Sequence, residues 1–134
     1  MCGFKRKRFR IIEIDISSVG VQSHPFGLED VLKSAKRIVA IQAFKVGEYA
    51  RGPISGKANA NATVFNNASL VLGTNDGDEP IFNMPLTDLC SSTNNGLVRE
   101  FDVSNINPSR CKIYVSSTAN LTTNEVFVLG FHYE

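Results

Sequence analysis

The stretch "FRIIEIDI", Phe9 to Ile16, sets Ile12, Ile14 and Ile16 on one side of an extended chain and Glu13 and Asp15 on the other. A period of two suits a strand with one buried face, and it is foreign to a helix. The rhythm continues along most of the chain. "RIVAIQAFKV" reads as a strand apolar on both faces, and "SLVLGT", "EPIFNM", "LVREFDV", "CKIYVSS" and "EVFVLGFHY" follow as further short strands. Helical spacing occurs once, in Leu28, Val31, Leu32 and Ala35, enough for about two turns. From Gly47 to Asn67 the glycines, Pro53 and the Asn-Ala pairs of "ANANAT" mark a loop or a loosely paired edge. With 134 residues the chain is long enough for a single core. The expected fold is all-β, an antiparallel β-sandwich that is jelly-roll-like, with about eight short strands and one short helix.

The connections carry turn chemistry. "NDGD", Asn75 to Asp78, crowds acidic and amide groups around one glycine, as calcium loops do, but Pro80 arrives where such a loop should continue. Two flanking strands make it a hairpin turn instead. Pro85 lacks an N–H for a ladder and ends the second strand, and Leu86 and Leu89 can then tuck inward on a short helical turn. "LVREFDV" precedes the Asn-Pro turn "NINPSR", and "TANLTTN" is read as joining "CKIYVSS" to "EVFVLGFHY" as hairpin halves. Asn61, Asn67 and Asn120 sit in Asn-X-Ser/Thr triplets, but they read as polar turn and strand-edge residues.

Charge is placed unevenly. Five of the 14 basic residues, Lys5, Arg6, Lys7, Arg8 and Arg10, lie in the first ten positions, and all 13 acidic residues come later. The division expected is a basic N-terminal arm over 1–10 and one sandwich domain over 11–134. Such an arm can meet an anionic membrane, nucleic acid or an acidic neighbouring subunit. No apolar run approaches the length of a membrane span, and no apolar stretch follows the early charges, so the expectation is a chain made in the cytoplasm and not exported.

The last strand has apolar residues on both sides, Phe127, Leu129, Phe131 and Tyr133 on one and Val126 and Val128 on the other. A sandwich strand normally shows one face to water. Either the Gly47 to Asn67 loop roofs it or another subunit covers it. Self-association is the reading favoured, with Phe127, Leu129, Phe131 and Tyr133 as interface candidates.

For chemistry the chain offers little. Cys2, Cys90 and Cys111 share no C-x-x-C spacing and read as reduced structural thiols. With only His24 and His132, a zinc site would need ligands gathered from across the chain. No phosphate loop, metalloprotease helix or nucleophile elbow is present, and Asp76, Asp78 and Glu79 lie on a turn rather than in a pocket that would split their pKa values. The expectation is a non-enzymatic protein without metal, cofactor or small-molecule substrate. Sugar platforms present aromatic rings, and here there is no Trp and only three Tyr, of which Tyr49 is the attractive one.

The run "ASLVLGTNDGDEPIFNMPLTDL", then "VREFDV", the Asn-Pro turn, "CKIYVSS" and "VFVLGFHY", resembles the small single jelly-roll structural proteins of tailless icosahedral viruses, those of membrane-containing bacteriophages above all. The resemblance covers residues 37 to 134 and is one of strand rhythm and length. It implies a capsid component at a vertex (penton) or in the minor shell, assembling as a homo-oligomer beside other capsid proteins and located in the virion. The basic start is similar to the arms by which capsid proteins reach lipid, genome or neighbours. The alternative is a carbohydrate-binding sandwich or a receptor-binding spike domain.

Overall fold

The computed structural model describes residues 8–26, 32, 35–48, 56–90, 92 and 96–134. Nine strands are present among them. In chain order they are β1 (Arg8–Asp15), β2 (Ser23–Pro25), β3 (Arg37–Phe44), β4 (Ala58–Asn59), β5 (Ala68–Leu72), β6 (Ile81–Pro85), β7 (Arg99–Ser104), β8 (Lys112–Val115) and β9 (Glu125–Tyr133). One sheet has the order β1-β9-β3-β7, with β4 added in parallel beside β9, and the other has the order β2-β8-β5-β6. All other pairings are antiparallel.

The pairing is nested. Setting aside the two-residue β4, β5 pairs with β6, β3 with β7, β2 with β8 and β1 with β9. The chain is thus one long hairpin folded over on itself, and the additional pairs β9·β3 and β8·β5 close its two sheets. That arrangement is a jelly roll, the two-sheet solution that leaves few open edges.

The alternation of "FRIIEIDI" does what its period requires. Ile12 lies opposite Leu129 and Ile14 opposite Phe127, while Ile41 and Ala43 flank Phe131 and Leu129 from the β3 side. These side chains meet Leu70, Leu72, Ile113 and Val115 of the second sheet in one core. Enclosing each such large side chain contributes about 1.5–3 kcal/mol, and the core forms around Cys90 and Cys111 with both unbridged. After β6 the 3-10 turn Leu86–Leu89 buries both leucines, as the Pro85 break implies. The "NDGD" segment is the hairpin turn between β5 and β6, with Gly77 at φ +89°.

Four expectations need correction. The first concerns the arm boundary. Arg8, Phe9 and Arg10 belong to β1, where they lie opposite Tyr133, His132 and Phe131, because the backbone ladder continues past the last buried isoleucine. Lys5, Arg6 and Lys7 lie outside the described residues.

The second concerns β9. Phe127, Leu129 and Phe131 are fully enclosed in the core of a single chain, so these three are not surface candidates for an interface, whereas Tyr133 packs half-buried against the core with part of its surface open. Val126 and Val128 on the opposite side are also fully buried. The Ala58–Asn59 strand runs along Glu125 and Val126, and the Ala60 N–H donates to the Val126 carbonyl at 2.9 Å. The chain's own loop segment extends the sheet along the start of this strand, and both faces of the strand are enclosed within the single chain.

The third concerns the hairpins. β7 and β8 do not pair, nor do β8 and β9, because each connection crosses from one sheet to the other.

The fourth concerns helices. A short helix, α1 (Ala62–Asn66), begins at the end of "ANANAT" and is capped by the Asn61 side chain, whose Oδ1 accepts from the Val64 N–H at 3.1 Å. Of the helical spacing read at Leu28, Val31, Leu32 and Ala35, the first two lie outside the described residues, Leu32 is buried and Ala35 packs against the core.

Candidate functional site

Three places on the sandwich gather polar or exposed groups. The first is the hairpin end. A cleft of about 370 Å³ is lined by Thr74, Asp76, Asp78, Pro80 and Asp102, with Asn105 beside them. Arg110, on the 3-10 turn Pro108–Arg110, reaches across it. Its guanidinium donates to the Thr74 carbonyl at 3.4 Å and the Gly77 carbonyl at 3.2 Å. Asn105 donates to Asp76 Oδ2 at 3.4 Å. This corner is fastened to its own neighbours, and among the described residues no group of three His, Cys, Asp or Glu could hold a metal ion.

The second is the outer face of the β1-β9-β3-β7 sheet. A shallow groove of about 570 Å³ is lined by Val39, Ala40, Leu97, Val98, Glu100 and His132. Phe9 is half exposed at its far side, its ring 4.7 Å from the His132 ring, and His132 Nε2 lies 3.2 Å from Gln42 Oε1. Leu97 is 69 % exposed, the most open large apolar side chain among the described residues. Nothing in the local pattern of "LVREFDV" marks Leu97 as exposed.

The third is charge. Arg8 and Arg10 are exposed on β1. At the same end of the sheet Arg37 holds Glu134 at 2.6 Å and Asp102 at 3.5 Å, and on β1 Asp15 pairs with Lys57 at 3.0 Å.

The thiols are structural where they can be seen. Cys90 and Cys111 are buried and unbridged, and burial pushes each thiol up to about 11, with Glu48 adding to the effect at Cys90. At neutral pH both are protonated and sealed from solvent, so neither is a nucleophile in this state. Cys2 and Tyr49 lie outside the described residues. Asn61 caps α1, Asn67 closes it and Asn120 sits at φ +66° in a turn, which are the roles their triplets leave open.

His24 is different. It is fully buried in β2, it faces the core opposite Ile113, and no pattern in the sequence singles it out. Its Nδ1 accepts the Ser17 backbone N–H at 3.1 Å. Burial pulls its pKa below the usual histidine value, and the Val21 carbonyl opposes that more weakly.

No protein-family model, no curated protein and no solved structure matches this chain. What the geometry defines is a class, the jelly-roll β-sandwich, with a filled interior and its distinctive groups on outer faces and edges.

Proposed function

We propose that this chain is a virion structural protein, a small jelly-roll capsid component of vertex or minor-shell type that assembles as a homo-oligomer and is not an enzyme. The observation that carries the reading is the nested β1·β9, β2·β8, β3·β7, β5·β6 pairing around a solid apolar core. Jelly rolls serve in viral capsids, lectins and cupins. A lectin or cupin uses the fold to surround or present a ligand, whereas a shell subunit uses it as a rigid block with sticky outer surfaces. Here the space between the sheets is occupied by Phe65, Phe127, Phe131, Leu70 and Leu72, and the exposed apolar groups Phe9 and Leu97 lie on the outer surface. The basic residues Lys5, Arg6, Lys7, Arg8 and Arg10 supply the electrostatic contact, with an anionic membrane, nucleic acid or a neighbouring subunit.

Mass measured by light scattering during size exclusion tests the assembly. A symmetric multimer is the expected result. A strict monomer at all concentrations, with retention on immobilised glycans, would replace this reading by the carbohydrate-binding or spike-domain alternative.

A further inference from the structure

We propose that the corner between β1 and β2 is an acid-sensitive latch, held shut by the neutral imidazole of His24 and released when that ring is protonated. The proposal does not depend on the virion reading, since it rests on the corner alone. His24 has no solvent-exposed surface, and its two ring nitrogens have distinct surroundings. Nδ1 is an acceptor, because the Ser17 backbone N–H points at it from 3.1 Å, with Ser17 Oγ at 3.3 Å. The ring proton therefore sits on Nε2, which is buried and makes no hydrogen bond among the described residues. A second proton has to go on Nδ1. That sets N–H against N–H at Ser17 and places a full charge beside Ile113 and the Phe127 ring, whose centroid is 6.4 Å away.

Among the described residues no ionisable group faces the ring, and the Val21 carbonyl offsets the burial only in part. Ser17 after β1, Ile113 on β8 and Phe127 on β9 are not ionisable. Asp15 turns to Lys57 at the surface, and Lys112 and Tyr114 lie opposite Pro25 and Ser23 rather than His24. Burial dominates, so the folded ring titrates below the ordinary histidine value of 6.5. The sign follows from that direction. The latch is closed above pH about 6.5, where the unfolded ring is also neutral, and it weakens as pH falls below that value toward the folded pKa.

What opens is defined by the topology. β2 is a three-residue edge strand held to β8, and the segment adds two backbone bonds, Val115 N–H to Gln22 O at 2.8 Å and Phe26 N–H to Cys111 O at 3.1 Å. Its departure uncovers the β8 edge and Phe26, which packs edge-on against Phe131 at 6.1 Å. Acid would therefore expose an unpaired strand edge and an apolar surface together.

The test is an NMR titration of the full chain from pH 8 to 4.5 beside urea unfolding at the same pH values, for the wild type and His24→Asn. The Asn Oδ1 can take the place of Nδ1 as acceptor, but it does not titrate. We expect the His24 ring to titrate below 6.5 with the Ser17 amide shifting in step. We also expect the wild-type unfolding constant to rise by up to tenfold more per pH unit than that of the variant. Should His24→Asn fail to fold, amide exchange in the wild type decides, with His24 and Phe26 losing protection at pH 5 relative to Leu70 and Val71. A ring that titrates at or above 6.5 in the folded chain, equal pH slopes for both proteins, or β2 amides as protected at pH 5 as at pH 8 would each overturn the latch.

Discussion

The ring of Phe9 lies across Gly130: a Cβ built at position 130 would stand 2.8 Å from Phe9 Cε1 and 3.0 Å from its Cζ. The contact joins an exposed residue of the first strand to the middle of the last, and it ties Arg8 to Arg10 into the sheet. Gly130→Ala should therefore cost about 1 kcal/mol, since the half-exposed Phe9 ring can swing away. Phe9→Ala in the Gly130→Ala background should recover part of the loss. A double-mutant cycle by urea unfolding checks it, and purely additive effects would mean that the two residues do not touch.

Gly73 gives the contrasting case. A Cβ there would meet the Arg110 Cβ at 2.6 Å and the Arg110 carbonyl at 2.9 Å, and backbone does not swing aside. Gly73→Ala should cost more than Gly130→Ala, about 2–3 kcal/mol, and disturb the Thr74 and Gly77 carbonyls that accept from Arg110. Melting curves of the two variants, measured together, test the ranking.

Phe131→Asp should prevent folding of the single chain rather than only its assembly, because it sets an unpaired charge among Ile41, Phe26 and the rest of the core at a cost of several kcal/mol. Asp76→Asn, on the exposed turn, should stay within about 0.5 kcal/mol of wild type. Circular dichroism with sizing separates the outcomes. A folded Phe131→Asp monomer would show that Phe131 belongs to an interface after all.

The thiols predict an alkaline limit. Cys90 and Cys111 ionise at about 11 in the fold, against 9.0 for a free thiol, so the unfolded chain loses those protons first. Their contribution is intact below pH 9 and is lost as pH rises toward 11. Reaction with a thiol reagent at pH 7.5 should be slow for both until urea unfolds the chain, with burst labelling of either in the native protein as the contrary result.

Removing residues 1–7 should leave the melting temperature nearly unchanged and lower retention on heparin or anionic vesicles in a salt-dependent way. Removing residues 1–10 should also destabilise, because three ladder positions and the Phe9 cover over Gly130 go with them. Equal melting temperatures for the two truncations would return the boundary to residue 10.

Local pattern carried the strands, because alternation at Ile12, Ile14 and Ile16 records a burial that each strand creates by itself. Pairing was another matter. Whether β8 meets β9 or β5 depends on connections that cross between sheets, and no residue of "TANLTTN" encodes the crossing. Val126 and Val128 are buried within the single chain, and the start of their strand is paired by Ala58 and Asn59, about 67 positions earlier, so burial that depends on distant segments looked like a subunit interface. The α1 helix escaped because Thr63 and Val64 are indifferent helix formers, although Asn61 is a legible N-cap. Among the candidate site residues, the exposure of Arg8 and Arg10 follows from their charge, whereas the burial of His24 has no sequence signal at all.

The position of β9 also sets an order of events. The last of the nine described strands sits between β1 and β3, so β1 has no partner in that sheet, and β3 has only β7, until the residues from Glu125 onward are available. During synthesis β1 must wait unpaired with Ile12 and Ile14, and the β9 side of β3 stays open, until contacts that span most of the chain can close. Folding of this kind is slow, and it leaves nascent chains dependent on protection from one another until the final strand slots in.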